Sequence, residues 1–226
     1  MTEPQPPAAV LWDMDGTLVD TEPFWFAAET ALVERFGGTW TEDQARTLVG
    51  MGLKDAAAAL REHGVDLPPE EMVEVQTDHV IAHLRREVPW RPGALELLRA
   101  LREAGVRTAL VTMSVRRMAE VVADAVPFEA FDVIVSGSDV THAKPHPEPY
   151  LTAAERLGVP IGDCVAIEDS PPGLASAVAS GAATVGVPHM VPLPEGDRWR
   201  LWPTLERRSV ADLAALAAET AGTRTA

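Results

Sequence analysis

Cysteine occurs once in the 226 residues, at Cys164. A lone thiol excludes an internal disulfide framework and fits a reducing, cytoplasmic setting. Embedded in Cys164-Val165-Ala166-Ile167, it reads as a buried strand residue rather than a nucleophile. Positive charge is also scarce: 19 Lys and Arg stand against 34 Asp and Glu, a formal net charge of −15. That balance argues against nucleic acid or an anionic membrane surface as partner, since both need a basic face. No stretch approaches the ~20 apolar residues of a membrane span. Met1 to Pro7 carries Pro and Gln where a signal peptide needs basic and apolar regions, so it reads as a loose tail. No repeat or low-complexity tract stands out beyond an excess of alanine. A monomer is the default state.

What the chain does have is an apolar run that stops abruptly in acid: Val10-Leu11-Trp12-Asp13-Met14-Asp15-Gly16-Thr17. Val10 to Trp12 predict a buried strand, with Asp13 where the strand meets its loop. Alternation puts Asp13 and Asp15 on one side, and Gly16 permits a sharp turn. Two carboxylates held together repel unless a cation or a shared proton intervenes. A solvated Asp-x-Asp-Gly turn is the plain alternative.

Thr21-Glu22-Pro23 reads as a hinge, after which helical patterning runs to about Val88 without a convincing strand. Helices are expected over 24–36, from the cap Thr41 through Leu48, over 54–63, and from Pro68-Pro69 toward Arg86. Residues 21–88 are therefore expected to form an all-helical cap domain, and 1–20 with 89–226 an α/β core. Past Pro92, helix and strand alternate. Strands are expected at 107–112, 131–136, 165–167 and 184–187, and helices at 94–104, 115–125, 147–157 and 171–180. Trp202 to Thr204 and the Ala-rich 211–219 stretch finish the surface. Strands separated by helices imply a Rossmann-like parallel sheet with right-handed crossovers.

Ligands of such sheets bind at the carboxyl ends of the strands. Asp13 and Asp15, Thr112, Lys144, and Glu168-Asp169 all fall at those ends. Singly, Thr112 could cap a turn, Lys144 could be a surface lysine in a Pro-rich loop, and Glu168-Asp169-Ser170 could be a helix start. Together, Asp13-Met14-Asp15-Gly16-Thr17-Leu18-Val19-Asp20, Thr112, Lys144-Pro145-His146-Pro147-Glu148-Pro149 and Ile167-Glu168-Asp169-Ser170 resemble the four motifs of the haloacid dehalogenase-like hydrolase superfamily. The likeness spans nearly the whole chain. It is to the β-phosphoglucomutase-like and sugar-phosphate phosphatase subgroup, whose helical cap is similar to the insert here.

The resemblance implies a core of about five strands with the Asp13 strand central. It also implies a Mg²⁺-dependent phosphatase whose partner is a small phosphorylated metabolite such as a sugar phosphate. Asp13 would attack phosphorus and carry an aspartyl-phosphate, and Asp15 would serve as acid and then base. Mg²⁺ would be held by Asp13 and Asp169, by the Asp15 carbonyl, and by Glu168 directly or through water. Thr112, Lys144 and the amides of Met113 and Ser114 would hold the phosphoryl oxygens. Because haloacid dehalogenases in the superfamily lack an acid at the Asp15 position, dehalogenation is not expected.

In the cap, Trp25 stands where β-phosphoglucomutase has a histidine, and Val49 and Leu53 align with its basic residues. These three are expected neither to coordinate cap closure nor to hold a second phosphate, which counts against a mutase. Trp25, Gly50 and Lys54 are the candidate cap contacts to substrate: Gly50 keeps the glycine-bearing turn of that loop, Lys54 could partly substitute for the lost charge, and Trp25 reads equally well as cap packing. Arg116 and Arg117 could reach an anionic substrate or form a solvated face. Two alternatives to the phosphatase are carried forward: a phosphomutase, and a non-catalytic protein that binds a phosphometabolite.

Overall fold

The computed structural model describes residues 5–224. Of the expected N-terminal tail, residues 1–4 lie outside the described residues. Pro7 is already buried, and the Ala8 amide donates to the Asp163 carbonyl at 2.9 Å, so the end of that segment is tied to the core.

Six parallel strands form one sheet: β1 (Ala9–Trp12), β2 (Arg107–Val111), β3 (Val133–Val135), β4 (Cys164–Glu168), β5 (Ala183–Gly186) and β6 (Arg200–Leu201). Their spatial order is β3-β2-β1-β4-β5-β6, which puts β1 in the interior and makes it the point where the winding reverses. All four β1 residues are buried, as expected for a strand covered on both faces by helices. Five strands were expected. The sixth pairs only Val185 with Arg200 and Gly186 with Leu201, too short a run to leave a period in the sequence. Just beyond it, Trp202 does not finish the surface. It is buried in the main apolar cluster beneath Arg208, whose guanidinium lies 4.4 Å from the indole ring.

The helices are α1 (Glu22–Arg35), α2 (Glu42–Arg46), α3 (Leu53–Glu62), α4 (Pro69–Leu84), α5 (Ala94–Glu103), α6 (Arg116–Ala125), α7 (Glu148–Leu157), α8 (Pro171–Ser180) and α9 (Val210–Arg224). Their starts follow local chemistry. The Thr41 hydroxyl accepts from the Gln44 amide while Gln44 reaches back to Thr41, a full capping box for α2. Ser170 caps α8 by accepting from the Gly173 amide, with Pro171 at the first helical position.

Helices α1 to α4 share a hydrophobic cluster of their own, built on Leu32, Val33, Trp40, Leu60 and Met72. The beginning of α1 and the end of α4 instead join the sheet's cluster through Trp25, Val80, Ile81 and Leu84. The two chain passages into and out of this insert run side by side. Val19 bridges Trp90 in antiparallel fashion, the Asp20 amide donates to the Pro89 carbonyl at 2.8 Å, and the Arg91 amide donates to the Leu18 carbonyl at 2.9 Å.

Candidate active site

Parallel register assembles the site. Trp12 is level with Leu110 on β2 and with Ile167 on β4, so the next residue on each path, Asp13, Val111 and Glu168, emerges at one end of the sheet. The Asp13 amide extends the ladder by donating to the Ile167 carbonyl at 3.0 Å. The loop then turns at Gly16, whose φ of 81° suits a residue without a side chain. A Cβ there would lie 2.0 Å from Asp169 Oδ2, so the backbone itself forms one wall of the acidic cluster.

Lys144 Nζ sits at the centre of that cluster, 2.6 Å from Asp13 Oδ1, 2.6 Å from Glu168 Oε1 and 3.0 Å from the Val111 carbonyl. The Tyr150 hydroxyl also donates to Glu168 Oε1. Thr17 Oγ donates to Asp169 Oδ1 at 3.3 Å. Burial alone would lower the Lys144 pKa, but Asp13 and Glu168 beside it raise it above the ordinary lysine value. Asp13 is pushed up to about 7 by burial and then by Glu168, against the pull of Lys144. Asp169 is driven well above the carboxylate range, first by burial and then by Asp13 and Glu168.

These carboxylates fit a hard divalent cation. Asp13, Glu168 and Asp169 each offer an oxygen within 4.8 Å of the others. Asp13 Oδ2 and Asp169 Oδ2 are buried with no hydrogen-bond partner among the described residues. Three carboxylates less one ammonium leave two uncompensated negative charges when all are ionised, and an all-oxygen donor set suits Mg²⁺.

Asp15 faces the other way. Thr21 Oγ (2.6 Å) and Trp25 Nε1 (3.2 Å) donate to its Oδ1, while Ser114 Oγ (2.8 Å) and Thr112 Oγ (3.1 Å) donate to its Oδ2. Thr112 Oγ also accepts from the Ser114 amide at 3.0 Å. The hydroxyl and amide expected to hold a phosphoryl group thus hold each other and Asp15 in this state. Trp25 takes part in this arrangement. Its side chain is packed, yet the indole N–H links α1 to Asp15, a link that Trp can make because it carries a donor at its edge.

A cavity of about 80 Å³ lies between these groups and the insert, with Asp13, Asp15, Thr112, Met113, Ser114 and Lys144 on its core side. Gly50 closes it from the insert: φ is 77°, and a Cβ would stand 2.5 Å from Ser170 Oγ. Val49 and Leu53 line it as apolar wall. Lys54 does not reach it. Exposed at the start of α3, it lines a neighbouring groove with Glu70, Glu74 and Thr141. Arg116 and Arg117 are likewise engaged elsewhere, Arg116 with Asp139 at 2.6 Å and Arg117 with Asp78 at 2.7 Å and Glu74 at 2.9 Å.

Three polar cavity residues on the insert escaped the sequence reading: Glu22 and Glu29 on α1, and Gln76 on α4. A signal was present. Glu22, Trp25 and Glu29 are spaced three and four apart, hence on one helical face, and that face is buried. Gln76 interrupts the buried Met72 and Val80 stripe at the same spacing. Burial, then Asp15 and Glu29, lifts Glu22 to about 8. Burial lifts Glu29 to about 7, opposed by the Trp40 indole N–H that donates to its Oε2 at 3.0 Å.

A parallel α/β sheet carrying a buried Asp–Lys–Glu–Asp cluster at the carboxyl end of its central strand defines a hydrolase-type site rather than a nucleotide-binding loop. The matching family model is "haloacid dehalogenase-like hydrolase", over residues 7–181, and the chain belongs to that family. It is 33% identical over 188 residues to the phosphorylated carbohydrates phosphatase of Thermotoga maritima, covering 80% of this chain and 85% of that one. It is 30% identical over 193 residues to hexitol phosphatase B of Escherichia coli, with coverage of 83% and 86%. Among solved structures, a variant of CbbY from Rhodobacter sphaeroides in complex with xylulose 1,5-bisphosphate superposes with a TM-score of 0.82 at 28% identity. That match covers 92% of this chain and 99% of that one.

Proposed function

We propose that the protein is a Mg²⁺-dependent phosphatase that hydrolyses a small phosphorylated carbohydrate through an aspartyl-phosphate on Asp13, with residues 21–88 acting as its cap. The observation that carries this reading is Asp13 Oδ2: a buried carboxylate oxygen without a partner, on a residue whose other oxygen is pinned by Lys144. Such an atom is aimed and free to attack, while the ammonium beside it offsets the charge of an incoming phosphate. Mg²⁺, held by Asp13, Glu168 and Asp169 with the Asp15 carbonyl, would neutralise charge building on the transferring phosphoryl group. Asp15, set on the cap side by four donors, protonates the leaving oxygen and then takes a proton from the attacking water. Thr112 and Ser114 exchange their bonds to Asp15 for bonds to phosphoryl oxygens as substrate enters. The named activities of the Thermotoga and Escherichia relatives support carbohydrate esters as the substrate class.

A mutase needs a cap-side cation to hold a second phosphate, and Val49 and Leu53 supply none. A purely binding protein has no use for an acid at Asp15. The deciding assay is phosphate release from p-nitrophenyl phosphate with Mg²⁺. Asp13→Asn is expected to lower kcat by at least ~10³-fold. Equal release by that variant removes Asp13 as nucleophile.

A further inference from the structure

Outside the cavity, the loop that delivers Lys144 carries a second cluster of ligating side chains. His142, His146 and Glu148 each offer an atom within 4.8 Å of the others. Glu148 Oε2 lies 2.7 Å from His142 Nδ1 and 3.9 Å from His146 Nδ1, and the two imidazole rings are 4.5 Å apart. The carboxylate is already aimed. Its Oε1 accepts from the Thr141 amide at 2.7 Å, and its Oε2 from the His142 amide at 2.9 Å. The Thr141 amide first, and then the His142 imidazole, hold its pKa below the usual glutamate value, so it is an anion near neutral pH. The loop backbone is tied down as well. The His146 amide donates to the Ala143 carbonyl at 3.0 Å, and Ser176 Oγ on α8 donates to the His146 carbonyl at 2.7 Å. Lys144 turns inward with its side chain 2% exposed, whereas the imidazoles on either side of it are 61% and 51% exposed. Phosphoryl transfer as assigned above uses neither histidine.

We propose that His142, His146 and Glu148 form a second metal site, for Zn²⁺ or a similar borderline divalent ion, which clips the Lys144 loop to the start of α7. Two imidazole nitrogens and one carboxylate oxygen suit such ions, whereas Mg²⁺ prefers an all-oxygen set. Donor chemistry thus sorts two kinds of ion between two sites. Tetrahedral bonds of ~2.0–2.2 Å set ligand atoms ~3.3–3.6 Å apart. The present gaps of 2.7 and 3.9 Å bracket that spacing, and the rings that must turn to meet it are exposed. The ion replaces the proton that His142 Nδ1 shares with Glu148 Oε2, and that proton leaves to solvent. His146 Nδ1 gives up the bond it accepts from the Glu148 amide at 3.2 Å. Water completes the coordination on the open side. Both histidines stand two positions from Lys144, and Glu148 is the first residue of α7, so chelation spans the loop. The site is independent of Asp13 being a nucleophile.

The test titrates Zn²⁺ into the full chain at about pH 7.5, where ordinary imidazoles are neutral, with Mg²⁺ in large excess to occupy the acidic cluster. Calorimetry should show one Zn²⁺ equivalent that the excess Mg²⁺ does not displace. The double variant His142→Gln/His146→Gln changes two exposed side chains, leaves Lys144 in place and should weaken that binding at least ~10-fold. Hydrogen exchange of the 142–148 amides should slow several-fold with Zn²⁺ in the parent and stay unchanged in the double variant. A parent chain that does not take up Zn²⁺ overturns the site. Affinity equal in parent and double variant overturns it too, because the ion then binds other residues. Binding lost in the double variant but without effect on exchange in the parent overturns the clip to α7.

Discussion

The two sides of the cavity treat buried carboxylates in opposite ways. On the sheet side, Asp13, Glu168 and Asp169 surround an ammonium that is itself buried and offer oxygens to a cation. On the insert side, Glu22 and Glu29 have no ammonium between them; burial raises both above the usual glutamate range, and for Glu22 neighbouring carboxylates add to the rise. One side is organised around positive charge and fixed; the other is short of partners. The contrast separates a wall whose carboxylates are tied to a shared ammonium from one whose carboxylates have few partners.

The largest effect should come from removing the cation. Lys144→Met leaves Asp13 and Glu168 buried without compensation and is expected to cost ~3–5 kcal/mol of stability, measured by urea unfolding without metal. Added Mg²⁺ should narrow that deficit by binding the folded state. If the loss is under 1 kcal/mol, roughly a surface ion pair's worth, the sheet side is not organised around its ammonium.

Next in size is a pH effect on the insert side. Glu29 rises from 4.5 to about 7 on folding, so the folded protein holds the extra proton between those values. Stability from this group is therefore full below pH 4.5 and declines as pH climbs through 7. Glu29→Gln cannot ionise, so its stability relative to the parent should grow between pH 5 and 8 by about 1–3 kcal/mol in parallel unfolding titrations. A pH-independent difference would show that Glu29 is not buried as a charge.

Trp25 joins the two sides through Asp15. Trp25→Phe keeps the ring and loses the N–H, and kcat for an activated ester should fall ~10-fold with the thermal midpoint little changed. A fall in the midpoint with full kcat would make the indole a packing residue only. The smallest effect belongs to Arg117, whose pairs with Glu74 and Asp78 tie α6 to α4 at the surface. Arg117→Ala should cost ~0.2–1 kcal/mol and less in high salt.

The sheet side was the legible one. Asp13, Asp15, Thr112, Lys144 and Asp169 each follow an apolar run or sit in a Pro-rich loop after one, so a strand-end reading brings them together before any coordinates are known. Helix limits were recovered to within a few residues wherever a cap, proline or glycine marks them, as at Thr41, Pro68-Pro69 and Gly158. Strand β6 left no trace because two residues have no period. The insert side stayed hidden because Glu22, Glu29 and Gln76 look like polar positions on amphipathic helices until one knows which face is covered. Lys54 misled for the converse reason: proximity in sequence to Gly50 does not fix which way the first turn of α3 presents its side chain.

One consequence follows from the paired passages at Leu18 to Asp20 and Pro89 to Arg91. The excursion through residues 21–88 leaves and rejoins the sheet at a single stitched point. To β1 and β2 it is one wide loop within their crossover connection, and lengthening such a loop twofold costs only ~0.6 kcal/mol of closure entropy. The insert can therefore be exchanged, enlarged or redesigned as a cassette while the strand partners that carry Asp13 keep their register.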